Sequence, residues 1–176
     1  LYFRVDRKKK ILVSTLLLAL GYTKSDMVKE FYHKEIYSFD SKINKWKTKF
    51  NPENYKSKNF SEEIVDAKTN KPIIKKGEKI NFLKAKKLQD SGLKDIYVNN
   101  QYLLGKYLSK QVIIDEDNFK IGTELNETIV DKLCEIKNNL IETAYTNSIN
   151  KGPYLLQTIF NDKNENKNDA INEIYK

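Results

Sequence analysis

The residues best able to do chemistry sit near the start of the chain, where Arg4, Arg7, Lys8, Lys9 and Lys10 place five cations within seven positions around a single acid, Asp6. The apolar run Ile11–Leu20 follows at once. This order predicts a short turn between an extended segment and a helix, with the apolar run anchoring it in a core so that several cations point at one polyanion backbone. The chemistry is therefore binding, with bidentate forks from arginine and point charges from lysine. No catalytic constellation accompanies it. The six glycines are scattered and form no phosphate loop. His33 is the sole histidine, has no identifiable acid or base beside it, and reads as a strand-edge or packing residue. Cys134 is the sole cysteine, which excludes an internal disulfide and a zinc site of the usual Cys/His ligand count; it reads as a small apolar residue of an amphipathic helix. Asp115, Glu116 and Asp117 read as acids of a hairpin tip, not as cation ligands. The expectation is no catalytic residue and no metal site.

Composition agrees with a binding role. With 176 residues and 39% hydrophobic content, the chain can close one domain, or a small domain with a subdomain. A net charge of +8 on a chain that is 32% charged draws polyanions. The apolar run is about half of the roughly 20 residues that a membrane span needs, and Ser14 and Thr15 interrupt it. Read as a signal-peptide core, it would place cleavage near Gly21-Tyr22-Thr23-Lys24, a poor context. A reducing cytoplasm suits the cysteine usage.

Several elements position these residues. Ile11–Leu20 reads as a buried helix stopped by Gly21, and Thr23 with Asp26 forms a capping pattern for a second helix whose apolar face is Met27, Val28, Phe31 and Tyr32. From His33 the period becomes two: Trp46, Thr48 and Phe50 alternate with Lys45, Lys47 and Lys49, across a turn at Asp40-Ser41-Lys42 from a strand around Ile36–Phe39. The lysine row reads as the wet face of an antiparallel hairpin. A weak internal repeat follows, in which Ile64-Val65-Asp66, Gly77 and Asn81 recur as Ile113-Ile114-Asp115, Gly122 and Asn126, the last two pairs offset by 45 residues. Each copy reads as hairpin, helix and strand, with the asparagines as N-caps, and the two copies are expected to pack on each other about a pseudo-twofold. After Gly152-Pro153, helical signals return, with Tyr154, Leu155 and Ile159 on one face and then Ala170, Ile171 and Ile174 on another.

The string Arg4–Thr23 (RVDRKKKILVSTLLLALGYT), together with Gly152-Pro153-Tyr154 and the stretch Ala170–Tyr175, resembles the lobe region of the β subunit of bacterial DNA-directed RNA polymerases. The resemblance covers essentially the whole chain and is strongest at its two ends. It implies an α+β fold in which residues 1–32 and 151–176 form the helical lobe portion, and residues 33–150 form an inserted α+β appendage. It also implies that the chain is a fragment without activity of its own. Nucleotidyl transfer would belong to the assembled polymerase, with magnesium bound elsewhere and no cofactor in this segment. In that family the lobe is one jaw of the DNA cleft, and the turn matching Asp6, Arg7, Lys8, Lys9 and Lys10 faces DNA near the downstream edge of the transcription bubble. The resemblance then predicts phosphate contacts for Arg7 and Lys8 to Lys10, with Asp6 at a non-template base edge or orienting an arginine. Partners would be two α subunits, β′, ω, a sigma factor and DNA, with regulators docking on the appendage, in the nucleoid-associated cytoplasm.

Other readings exist. Asp6 paired with Arg4 or Arg7 would simply hold the turn. A recognition helix at Lys24–Tyr32 would set Asp26 and Glu30 beside phosphates, which repel them. A single-strand binder would need exposed aromatics, whereas most of the eleven tyrosines fall on expected core faces. An independent basic nucleic-acid-binding module is the alternative to the polymerase lobe.

Overall fold

The structure, a computed structural model, describes residues 1–55, 58–59, 62–136, 140–147 and 150–176. Strands β1 (Tyr2–Arg4) and β2 (Lys10–Leu12) lead into helices α1 (Val13–Ala19) and α2 (Lys24–Phe31). Next come β3 (Lys34–Asp40), β4 (Lys45–Lys49), a tight single-turn helix at Pro52–Tyr55, β5 (Lys58–Asn59), β6 (Ile64–Asp66), β7 (Pro72–Ile74), β8 (Lys79–Ile80) and α3 (Phe82–Asp90). The rest carries β9 (Asp95–Val98), α4 (Asn100–Leu103), β10 (Tyr107–Leu108), β11 (Val112–Ile114), β12 (Asp117–Phe119), α5 (Glu127–Leu133), β13 (Leu140–Ala144), α6 (Tyr154–Asn161) and α7 (Lys167–Ile174). The fold class is α+β, as expected.

The chain divides into two compact units. One is Leu1–Lys34, Lys106–Glu124 and Thr143–Lys176; the other is Glu35–Gly105 and Leu125–Glu142. This differs from the expected split into residues 1–32 with 151–176 and an appendage of 33–150, because Lys106–Glu124 belongs with the chain ends. Tyr107 and Leu108 pair with Ala144 and Thr143, and Tyr107 is buried among Leu155, Leu156 and Ile159. Gly122, at φ +88°, lays its backbone against α6 so closely that a Cβ there would come within 2.4 Å of the Leu156 carbonyl oxygen.

In the first unit, α1 packs on α2, α6 and α7. Leu18, Met27, Val28, Leu156, Ile159 and Ala170 form its centre. The expected helix at Ile11 begins only at Val13, because Ile11 and Leu12 pair with Phe3 and Tyr2 in the β1–β2 hairpin. The helix then ends at Gly21, whose φ of +102° only glycine takes without strain. Thr23 and Asp26 form the predicted capping box, each side chain accepting the other's backbone N–H at 3.0 Å. Of two residues expected on buried faces, Phe31 is half exposed and Tyr154, on α6, is 66% exposed.

In the second unit, strands run in the order β13-β3-β4-β9-β6-β7. Phe39, Trp46 and Val98 lie in register, as do Tyr37, Thr48 and Ile96, and apart from Phe39 these residues are buried. On the other face Lys45 lies opposite Asp40, and Lys49 opposite Asp95. Acids thus face two of the three lysines across the strands, while Lys47 lies between Ser38 and Tyr97. Both repeats adopt hairpin, helix and strand: Asn81 accepts from Lys84 N at 2.8 Å and Asn126 from Ile129 N at 2.9 Å. Their helices choose different main neighbours, α3 the turn at Pro52–Tyr55 and α5 the helix α4.

Candidate nucleic-acid interface

The β1–β2 hairpin carries the cation cluster, so the turn joins two strands instead of a strand and a helix. Arg4 lies directly opposite Lys10. Val5 N donates to Lys9 O at 3.0 Å to close the loop. Inside it, Asp6 Oδ1 accepts from Lys8 N at 2.6 Å and Lys9 N at 2.9 Å. These two backbone bonds hold the Asp6 carboxyl below its ordinary pKa. Asp6 therefore shapes the turn through backbone amides, and among the described residues no ion pair joins it to Arg4 or Arg7. Among the described residues, Arg4, Arg7, Lys8 and Lys10 have no carboxylate in ion-pair range, and Arg7, Lys8 and Lys10 are exposed. A like-charged pair across a hairpin is unfavourable by itself, and an approaching anion relieves it.

Lys9 is placed differently. Its Nζ donates to the carbonyl of Ile174 at 2.5 Å and to that of Glu173 at 3.3 Å, the last turn of α7. A buried polar hub holds α7 in place. Asp162, just after α6, accepts from Ser14 Oγ at 2.5 Å and Thr15 Oγ1 at 2.9 Å through Oδ2, and from Asn164 N at 3.0 Å and Nδ2 at 2.9 Å through Oδ1. The Asn164 amide also donates to Glu173 on α7. Lys24 Nζ donates to the Asp162 carbonyl at 2.9 Å and pairs with Glu165 at 3.2 Å. Burial pushes the Asp162 carboxyl up, but the bonds from Ser14, Asn164 and Thr15 outweigh it and leave the pKa below its ordinary value.

Sequence reasoning missed this hub. Ser14 and Thr15 looked like interruptions of an apolar run and are in fact fully buried donors to Asp162. The available signal was that buried hydroxyls require an acceptor. Elsewhere, His33 is exposed and its carbonyl accepts from Tyr145 N at 2.8 Å. Cys134 lies half-buried with Sγ 3.6 Å from Asn100 Oδ1, and burial raises its thiol pKa, the opposite of activation. Asp115 sits at the β11–β12 tip with φ +51°. Among the described residues, no group of three His, Cys, Asp or Glu side chains gathers as a metal site, and no helix is long and apolar enough to cross a membrane.

No protein-family model matches the chain. Curated relatives do: the DNA-directed RNA polymerase subunit beta of Rickettsia conorii is 32% identical over 179 residues, covering 100% of this chain and 13% of the relative. The proteins of that name from Rickettsia felis and Rickettsia akari match with the same identity and coverage. The chain is homologous to a segment of the RNA polymerase β subunit. It spans 13% of the length of the β subunits it matches, so the likeness concerns one region of a much longer chain. The similarity spans the whole chain, which upholds the resemblance to the β subunit.

Proposed function

We propose that this chain is the lobe portion of a bacterial RNA polymerase β subunit, and that its β1–β2 loop guides DNA in the cleft near the transcription bubble. One observation carries the reading. The hairpin presents Arg4, Arg7, Lys8 and Lys10 on a loop shaped by Asp6, with no carboxylate partner among the described residues. A loop shaped in this way can hold cations toward a phosphate backbone without reordering on contact. Arg7 and Lys8 at the tip, with Lys10 beside them, meet phosphates; Asp6 sets the curvature that aims them. In this proposal, nucleotidyl transfer occurs at a magnesium site on other segments of a cytoplasmic, nucleoid-associated enzyme with two α subunits, β′, ω and a sigma factor. The second unit offers regulators a surface. An independent nucleic-acid-binding module would share the loop, but similarity along the whole of this chain to a segment of β subunits favours the polymerase.

The test is Arg7→Ala in the assembled polymerase, read as open-complex lifetime over a salt series. Loss of one phosphate contact should reduce the slope of log affinity against log salt by about 0.9. An unchanged slope and lifetime would remove Arg7 from the DNA contacts.

A further inference from the structure

We infer that Lys9 is a positioning residue, withheld from DNA and latching the basic loop to the C-terminal end of α7. This rests on the DNA-guiding reading of the loop and narrows it, leaving phosphate contact to Arg7, Lys8 and Lys10.

The ammonium group has three donors, and two of them are engaged, on the carbonyls of Ile174 and Glu173. Both carbonyls lie in the last turn of α7, and an ammonium makes charge-assisted bonds to them, stronger than those of a neutral donor. The platform is firm. Asn166 caps the start of α7 by accepting from Asp169 N at 2.9 Å, Ala170 is fully buried against α1, and Glu173 is tied to Asn164 and so to the Asp162 hub. The loop is thus held at two points, from inside by Asp6 Oδ1 and from outside by Lys9 Nζ. Turning Lys9 toward a phosphate would break both of its bonds to α7. Arg7, Lys8 and Lys10 give up no such bond among the described residues. Lysine suits the latch because its long stem reaches across to α7 while its backbone N–H stays on Asp6.

The experiment uses polymerase reconstituted with the full-length β subunit carrying Lys9→Met, Arg7→Ala or Lys8→Ala, with two readouts. The first is amide hydrogen exchange of the loop without DNA; the second is open-complex stability on promoter DNA across a salt series. Lys9→Met should speed exchange at Val5 and Lys8 and at the end of α7 by about tenfold. It should also shorten the complex by one common factor at every salt, with the slope unchanged. Arg7→Ala should leave exchange alone and reduce the slope by about 0.9. The latch is overturned if Lys9→Met leaves loop exchange as in the wild type, or if it reduces the salt slope as much as Arg7→Ala does. If Arg7→Ala and Lys8→Ala both leave the slope unchanged while Lys9→Met still speeds exchange, the latch stands and the DNA-guiding reading falls.

Discussion

Asp162→Ala is the substitution whose cost follows most directly from the geometry. The carboxylate collects four donor bonds, from the Ser14 and Thr15 hydroxyls and from the Asn164 backbone and side-chain amides, at a site where Ser14, Thr15 and Asp162 are at most 1% exposed. Hydroxyls can rotate toward other acceptors and Asn164 Nδ2 keeps Glu173, so about half of these donors bear the full penalty of about 1–3 kcal/mol each for burial without a partner. With the small void added, the cost is about 3–5 kcal/mol. Asp162→Asn is milder. Its amide nitrogen can face the two hydroxyls, which turn to become acceptors, while its oxygen still serves Asn164, for a cost of about 1–2 kcal/mol. Hydrogen exchange of α1, α6 and α7 measures the difference, since 3 kcal/mol corresponds to roughly a 150-fold loss of protection. Protection within a factor of about two of wild type in the alanine variant, or a larger loss for asparagine than for alanine, would refute the hub as described.

Acid should act through the same carboxylate. Its folded pKa is depressed, so its contribution is fully present above the unfolded value of about 3.9 and is lost as pH falls through the lower folded value; protection of α1 and α7 should drop more steeply below about pH 4 in wild type than in Asp162→Asn. Parallel curves would contradict this. Gly122→Ala combines a φ of +88° with a Cβ 2.4 Å from a carbonyl oxygen, whereas Gly105→Ala at φ +79° meets nothing within 4 Å; denaturant titration should show about 3 kcal/mol or more for the first and about 1–2 for the second. Asn81→Ala and Asn126→Ala each remove an N-cap and should cost about 1 kcal/mol, seen as faster exchange confined to the first turns of α3 and α5.

The parts of this fold that could be read from sequence are those determined within a few residues. The capping box at Thr23 and Asp26, the stop at Gly21, the alternation of Trp46, Thr48 and Phe50 with lysines, and the caps at Asn81 and Asn126 all arise from local bonding or local periodicity. The features that escaped depend on residues distant along the chain. Lys9 meets carbonyls 165 and 164 positions away, and Ser14 meets Asp162 across 148. No local rule places Lys106–Glu124 with the chain ends, because its hairpin repeats the pattern of Ile64–Ile74, which lies in the second unit. The cation cluster itself was visible, but its internal division of labour was not: run composition treats Arg7, Lys8, Lys9 and Lys10 alike, and only the hairpin register separates the ammonium that turns toward α7 from its neighbours.

The interleaving of the two units also dictates an order of events at the ribosome. Helices α1 and α2 emerge early with Leu18, Met27 and Val28 uncovered, yet Leu155, Leu156, Ile159 and Ala170, which shield them, come only after residues 35–142. At roughly 5–20 residues per second the nascent hairpin waits on the order of ten seconds for its cover. During that interval most of the second unit is already available to fold, so the unit bearing the basic loop is the later of the two to close, with Leu18, Met27 and Val28 uncovered until then.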